Sequence, residues 1–334
     1  MTHNELEGFP ISYRSDIIMS PSQRMMDVAN STKLPPLSKI VRLYLRSGLR
    51  GATRITYLMA RHLESLQHIP LQIPGWSPVH IDLRLADSHN ILMNSPYKGP
   101  WRELDEISIM QRFVRKGDVA FDIGANIGLH SILLSSLVGP QGKLCVFEPN
   151  TELLPALRHT VGQLANATLY PIALSNQDRT SSLFVPSDHS TASLADWTVS
   201  SPVFSGDGPS HVVTCAERQT DNLIEEQTLP TPDFIKCDVE GAELLVFQGA
   251  RKTLNRVDAP IILFEANECA SRAFHVDASA AKEFLAALDA PSYCFFLITK
   301  EGRLERLQTV DSNFFNMLAI PASKVSNWPE LSKL

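Results

Sequence analysis

From Leu37 onward the apolar residues Leu37, Ile40, Val41, Tyr44, Leu45 and Leu49 recur every three or four positions, which predicts an amphipathic helix. Gly48 and Gly51 interrupt the pattern, and Ile55, Leu58, Met59, Leu63 and Leu66 predict a second helix. The proline-bearing stretch 68–78 reads as a linker. Alternation near 80–85 and 90–93 predicts two short strands, arranged as a hairpin. Beyond it the period switches repeatedly between 2 and 3.6. Helices are predicted over 103–115, 129–137, 151–164, 241–256 and 279–288, and strands over 118–123, 143–148, 168–174, 233–238 and 260–265. Residues 293–298 and 314–320 close the chain as two strands joined by a charged loop. No full helix separates that last pair, so one of the two should run antiparallel.

Strands alternating with helices predict an α/β fold, a mostly parallel sheet covered on both faces. The chain divides into a polar tail over 1–32 and a basic helical extension, together 1–75, and a second unit over 76–325. An insert at about 178–218 interrupts that unit. Its stretch 180–201 holds ten Ser/Thr in 22 residues, and so long a connection in a compact domain is more often functional than inert. His189, Trp197 and Phe204 fall in this insert, and Trp197 would suit stacking on a sugar ring as well as it would anchor a surface loop.

A length of 334 residues leaves room for about two domains. With 44% hydrophobic and 20% charged residues, the core needs no covalent staples. Cys145, Cys215, Cys237, Cys269 and Cys294 are odd in number and widely spaced, without a C-x-x-C pair, so neither a zinc site nor a disulfide framework is signalled. That usage suits a reducing cytoplasm. The first thirty residues show no secretory leader, and eighteen apolar residues never run together, so a cytoplasmic chain without a transmembrane helix is expected.

A net charge of −6 argues against nucleic acid as a partner. The charge is unevenly placed. Between Ala29 and Leu63 there are seven Lys/Arg and no acid, which leaves −13 for the rest. Two readings of this basic pair follow. One is a solvated basic face whose apolar stripe packs on the catalytic unit; the other is a peripheral contact of residues 33–61 with anionic lipid, at the inner face of the membrane, or with an anionic glycan carrier.

The chemistry concentrates at strand ends. Asp122-Ile-Gly124-Ala125-Asn126-Ile-Gly128 follows a predicted strand and opens a helix, where glycines let backbone approach a ligand closely. Glu148 ends the next strand, the place from which an acid binds ribose hydroxyls. A pyrophosphate site would use G-x-G-x-x-G. Here an acid stands two residues ahead of the first glycine; it would repel a pyrophosphate and suit a ligand with an ammonium, a ribose and no phosphate. S-adenosylmethionine meets that demand, unless Asp122 only caps the turn. A second cluster, Lys236-Cys-Asp238-Val-Glu240-Gly241-Ala-Glu243, ends the fourth strand, and Glu265 ends the fifth. In an open α/β sheet these ends border the ligand crevice, and acids crowded there must neutralise a cation, share protons or bind hydroxyls. Glu243 is equally at home in the first turn of the following helix.

These motifs (DVAFDIGANIG, VFEPN, IKCDVEGAE with FQGA, and the closing FNMLAIP) resemble the FkbM family of S-adenosylmethionine-dependent methyltransferases over roughly residues 103–321. The resemblance implies a class I methyltransferase fold, a Rossmann-like seven-stranded sheet whose last strand is antiparallel. It also implies O-methylation of a sugar, glycan, natural-product or lipid-linked hydroxyl. The candidate cofactor set is then Asp122, Gly124, Ala125, Asn126, Gly128, Glu148, Asn150 and Ala173. Asp238 and Glu240, with Glu265 third, become the candidate bases for removing the hydroxyl proton during in-line transfer. His130 is a further candidate base, although a helix-facing histidine is more often structural. The three acids would also make an oxygen-rich, magnesium-like set, but no metal is predicted. Two alternatives stand beside this reading: a dinucleotide-dependent oxidoreductase, disfavoured by the missing G-x-G-x-x-G, and a non-catalytic module of the same fold.

Overall fold

The computed structural model describes residues 34–73, 76–93, 104–186, 191–196, 211–299, 302–307 and 314–333. The tail over 1–32 and His189, Trp197 and Phe204 of the insert lie outside them. Among the described residues the central sheet has eight strands. Five of them, β3 (Val119–Ile123), β4 (Lys143–Phe147), β5 (Ala167–Tyr170), β9 (Phe234–Cys237) and β10 (Ile261–Asn267), pair in parallel in the order β10-β9-β3-β4-β5. Strand β13 (Phe314–Ile320) lies antiparallel against β10, and β11 (Cys294–Thr299) antiparallel against β13. The doubly wound sheet with an antiparallel final strand, expected for the class I methyltransferase fold, is therefore present. The charged loop expected between the last two strands contributes an eighth strand, β12 (Arg303–Arg306), which hairpins onto β11 because Leu304 is buried beneath it.

Alternation along each strand feeds two cores. Ala120, Leu144, Val146, Phe234, Leu263 and Leu318 face one layer, formed by α4 (Leu104–Phe113), α5 (Leu129–Val138) and α6 (Leu154–Gly162). Phe121, Phe147, Ile235, Ile262, Phe264 and Met317 face the other, where α7 (Thr220–Glu225), α8 (Glu243–Gly249), α9 (Arg251–Leu254) and α11 (Ala280–Ala286) pack. Strands buried on both faces explain why the sequence reads as short continuous apolar runs. A short helix, α10 (Glu268–Ala273), follows β10 directly, capped by the Asn267 side chain, which accepts from the Cys269 and Ala270 amides.

Several local expectations change. The expected linker holds β1 (Ile69–Leu71), which pairs antiparallel with β2 (Val79–Ile81), so backbone hydrogen bonding crosses residue 75. The strand expected over 90–93 is instead the end of a helix, α3 (Ala86–Met93), since Ser88, His89 and Leu92 are buried at helical spacing and the His89 ring meets the Leu83 carbonyl at 2.8 Å. The strand expected over 168–174 splits at Pro171, which has no amide to donate, into β5 and β6 (Ala173–Leu174). The helix expected over 241–256 breaks into α8 and α9 at Ala250. The ends of the Ser/Thr-rich insert are also ordered strands: β7 (Arg179–Val185) pairs antiparallel with β8 (His211–Arg218), and β8 pairs with β6. Leu183 and Val185 turn inward, while Thr180 and Ser182 are exposed.

The N-terminal helices α1 (Pro36–Arg46) and α2 (Ala52–His62) form as the apolar spacing predicts. Val41, Leu45, Ala52 and Ala60 share a third core with β1, β2, Leu129 and Ile132, so the extension rests on the start of α5. Strand β2 is fastened to α6, where the His80 amide donates to Thr160 Oγ1 at 2.9 Å.

Candidate active site

The turn after β3 is shaped by close approach. Gly124 has φ +77°, and a Cβ there would stand 1.8 Å from the Asp238 carbonyl oxygen, so the turn and the end of β9 pack backbone to backbone. Gly128 (φ +86°) faces Leu157 and Thr160 of α6 at under 3 Å from where its Cβ would sit. The Gly124 and Ala125 amides both donate to the Phe147 carbonyl, and the Asn126 amide donates to Glu148 Oε2 at 2.8 Å. Glu148 Oε1 accepts from the Asn150 amide, also at 2.8 Å, and the Asn150 side chain accepts from the Glu152 amide. Glu148 is buried, and burial pushes its carboxyl up to about 7 although the two amides favour the ionised form.

A cavity opens beside this turn, with about 570 Å³ of space between its walls, part of it open to solvent. Gly124, Asn126, Glu148 and Ala173 line it on the glycine-turn side, and Asp238 and Glu240 on the other. Phe147, Ile172, Leu174 and Leu183 supply an apolar wall, and Ala192, Ser193 and Leu194 of the insert complete it. Asp122, Ala125, Gly128, Asn150 and Glu265 do not line this cavity. Asp122 is fully buried beneath the turn, where Ser131 donates to its Oδ2 at 2.6 Å and Lys236 Nζ lies 3.8 Å from its Oδ1.

At the ends of β9 and β10, the carboxylates of Asp238, Glu240 and Glu265 gather so closely that one oxygen of each lies within 4.8 Å of the others. Such a set could hold a divalent cation. Glu265 Oε2 is buried without a hydrogen-bond partner. Its burial and the neighbouring Asp238, Glu240, Glu243 and Glu106 push its carboxyl far above the ordinary range, so it keeps its proton at neutral pH. Glu240 takes a left-handed backbone (φ +51°), and its carbonyl accepts from Ser193 Oγ at 2.8 Å, tying the insert to the cluster. Glu243 points away from the cavity, back along its own helix start: its Oε1 accepts from the Val239 amide, and burial lifts it to about 7.

Lys236 received no role from the sequence. It is almost fully buried, bonds the Gly124 carbonyl at 3.2 Å and pairs with Asp238 Oδ2 at 3.2 Å. Burial alone would lower its affinity for a proton, but Asp238, Asp122 and Glu106 outweigh it and hold the ammonium charged. A lysine inside the apolar run Phe234–Cys237 was the available signal, since a charge buried in a parallel strand needs a partner. His130 Nε2 sits 3.6 Å from Glu106 Oε2, and Glu106 is held in turn by Asn316 on β13. The insert residues Ser193 and Leu194 had only the Ser/Thr richness of their segment as a signal.

The donor set fits S-adenosylmethionine. A carboxylate at the end of the second parallel strand suits a ribose diol, and the Phe147–Leu183 wall suits a purine.

Residues 122–290 match the family model described as the Methyltransferase FkbM domain. Among characterised proteins, the chain is 26% identical over 166 residues to the hexuronic acid methyltransferase AglP of Haloferax volcanii, covering 48% of this chain and 61% of that one. It is 28% identical over 150 residues to the 2-O-methyltransferase NoeI of Sinorhizobium fredii, covering 41% of this chain and 59% of that one. The chain thus spans less than two thirds of the length of either relative. A solved precorrin-6y C5,15-methyltransferase from Geobacter metallireducens is similar at 16% identity with a TM-score of 0.37, over 65% of this chain and 88% of that one.

Proposed function

The chain belongs to the FkbM methyltransferase family, whose methyl donor is S-adenosylmethionine, and we propose that it methylates a hydroxyl on a sugar or glycan, free or carried on a lipid or natural product. The observation that carries this reading is the meeting of two unlike halves around one cavity: a glycine turn with Glu148, and the carboxylates at the ends of β9 and β10. Both characterised relatives are named for methylating sugars or for 2-O-methyl transfer, which supports a hydroxyl acceptor.

When bound, the donor supplies an electrophilic methyl on a sulfonium, so the protein's task is alignment and proton removal. Glu148 receives the ribose hydroxyls while its backbone donors keep its carboxylate fixed. Asp238 or Glu240 takes the proton of the acceptor hydroxyl as the new bond forms, because an alcohol is a weak nucleophile until its proton is accepted. Lys236, paired with Asp238 Oδ2, holds that side chain in position. Glu265, protonated, serves as a hydrogen-bond donor toward its two neighbours or the acceptor. Ser193 and Leu194, against Glu240, shield the site from water on the insert side.

Mass spectrometry of glycans and glycolipids from deletion and complemented cells tests the reading. A one-methylene difference on a sugar hydroxyl is expected, absent when Asp238→Asn is the complementing allele. Identical glycans in all three strains would contradict it.

A further inference from the structure

The basic segment stays unabsorbed by this site, and the structure gives it a surface. On α1, residues 38, 41 and 45 face the core, while Lys39, Ile40, Leu43 and Arg46 face outward. On α2, residues 52, 56 and 60 are buried, while Arg54, Ile55, Leu58 and Arg61 are exposed. Leu49 and Arg50 stand exposed on the turn between the helices. Seven of the nine exposed large hydrophobic residues among the described residues fall between Ile40 and Leu63; only Val212 and Val257 lie elsewhere. Ile40, Leu43 and Leu49 are each at least 60% exposed. The apolar stripe expected to pack on the catalytic unit is therefore only partly used: Val41 and Leu45 pack, while Ile40 and Leu49 do not.

We infer that the outward face of α1, α2 and their turn is a docking surface for an anionic lipid bilayer. Aliphatic side chains interleaved with arginines, and no acid from Ala29 to Leu63, form the face of a helix pair that lies in a membrane interface. A negatively charged headgroup layer complements the exposed Lys39, Arg46, Arg50, Arg54 and Arg61, and the acyl boundary receives the leucines and isoleucines. A soluble polyanion would satisfy the charges and leave the aliphatic residues in water. A second copy meeting this one face to face would oppose arginine to arginine. No helix among the described residues is long and apolar enough to cross a membrane, so the contact is peripheral. The inference is independent of the acceptor proposed above.

The full chain is tested by co-sedimentation with vesicles of phosphatidylcholine alone and of phosphatidylcholine with about 30% phosphatidylglycerol. Binding to the anionic vesicles should exceed binding to the neutral ones by about tenfold or more and weaken as salt rises. The double change Leu43→Ser with Leu58→Ser should remove most of the binding, and Arg46→Glu with Arg54→Glu should remove the preference for anionic lipid. Calorimetry with S-adenosylhomocysteine shows that each variant is folded, and Arg50→Glu alone, on the turn, replaces any that is not. Equal binding to both vesicles, no binding by a wild-type chain that binds the cofactor analogue, or heparin binding that survives the leucine changes overturns the inference. So does a lipid-free dimer that the leucine changes dissolve.

Discussion

Glu148 and Glu265 are both glutamates at the carboxyl ends of parallel strands in one sheet, and their surroundings treat them in opposite ways. Each is taken out of water, which raises a carboxyl's pKa. Glu148 receives a backbone amide on each oxygen and rises only to about 7. Glu265 has an oxygen with no partner and four other acids near it, and it stays protonated. The difference lies in the donors supplied by the chain. The glycine turn and the segment after β4 each offer one amide to Glu148, from Asn126 and Asn150, whereas the ends of β9 and β10 offer further carboxylates. On the function proposed above, the first half would hold the methyl donor and the second would accept the proton of the acceptor hydroxyl.

The largest expected effect comes from the proton-exchanging half. Asp238→Asn should lower kcat by about a hundred- to ten-thousandfold, as loss of a general base does, while calorimetry shows S-adenosylhomocysteine affinity within a few fold of wild type. Gly124→Ala attacks the seam between the halves. A left-handed alanine costs about 1–2 kcal/mol, and its methyl would press on the Asp238 carbonyl. A total loss of about 3 kcal/mol or more, read from denaturant unfolding, is expected. The same substitution at the two glutamates then separates them. Glu148→Gln turns an amide donor toward a backbone N–H and should weaken S-adenosylhomocysteine binding by about ten- to a hundredfold. Glu265→Gln replaces an already neutral carboxyl with a neutral amide and should change unfolding stability by less than about 1 kcal/mol. Equal losses from the two changes would erase the distinction.

Titration gives effects of opposite sign at two groups. Glu148's pKa is raised in the folded chain, so its contribution to stability is full below its ordinary value of 4.5 and is lost as pH rises through about 7. His80 is lowered from 6.5 to about 4 by burial and then by His159 and His68, whose rings stack at 4.2 Å. Its contribution is full above pH 6.5 and is lost as pH falls through about 4. Melting curves of His80→Gln should therefore flatten the acid limb alone, and those of Glu148→Gln the neutral limb.

Much of this site could be read in advance because it sits at strand ends with short-range signatures. Gly124, Asn126 and Glu148 follow an apolar run at fixed spacing, and Asp238 and Glu240 follow another. What escaped depends on distant partners. Lys236 makes sense only once Asp122, 114 residues earlier in the chain, lies beside it in register across β3 and β9. Glu106 and Asn316 meet across 210 residues. Strand β1 was hidden because three residues around a proline show no clear period, and so the partner of β2, which overlaps the strand expected near 80–85, was missed. Residues 86–93 misled for a related reason: a polar-rich helix buried at only a few positions resembles a short alternating strand.

The central claim is that one half of the cavity binds the methyl donor and the other takes the acceptor's proton. Calorimetry with S-adenosylhomocysteine on wild type, Glu148→Gln and Asp238→Asn tests it most directly. The account predicts that wild type binds, that Asp238→Asn binds nearly as well while inactive, and that Glu148→Gln binds about ten- to a hundredfold more weakly. A wild-type chain that binds NAD but not S-adenosylhomocysteine, or a loss of binding in Asp238→Asn but not in Glu148→Gln, would contradict it.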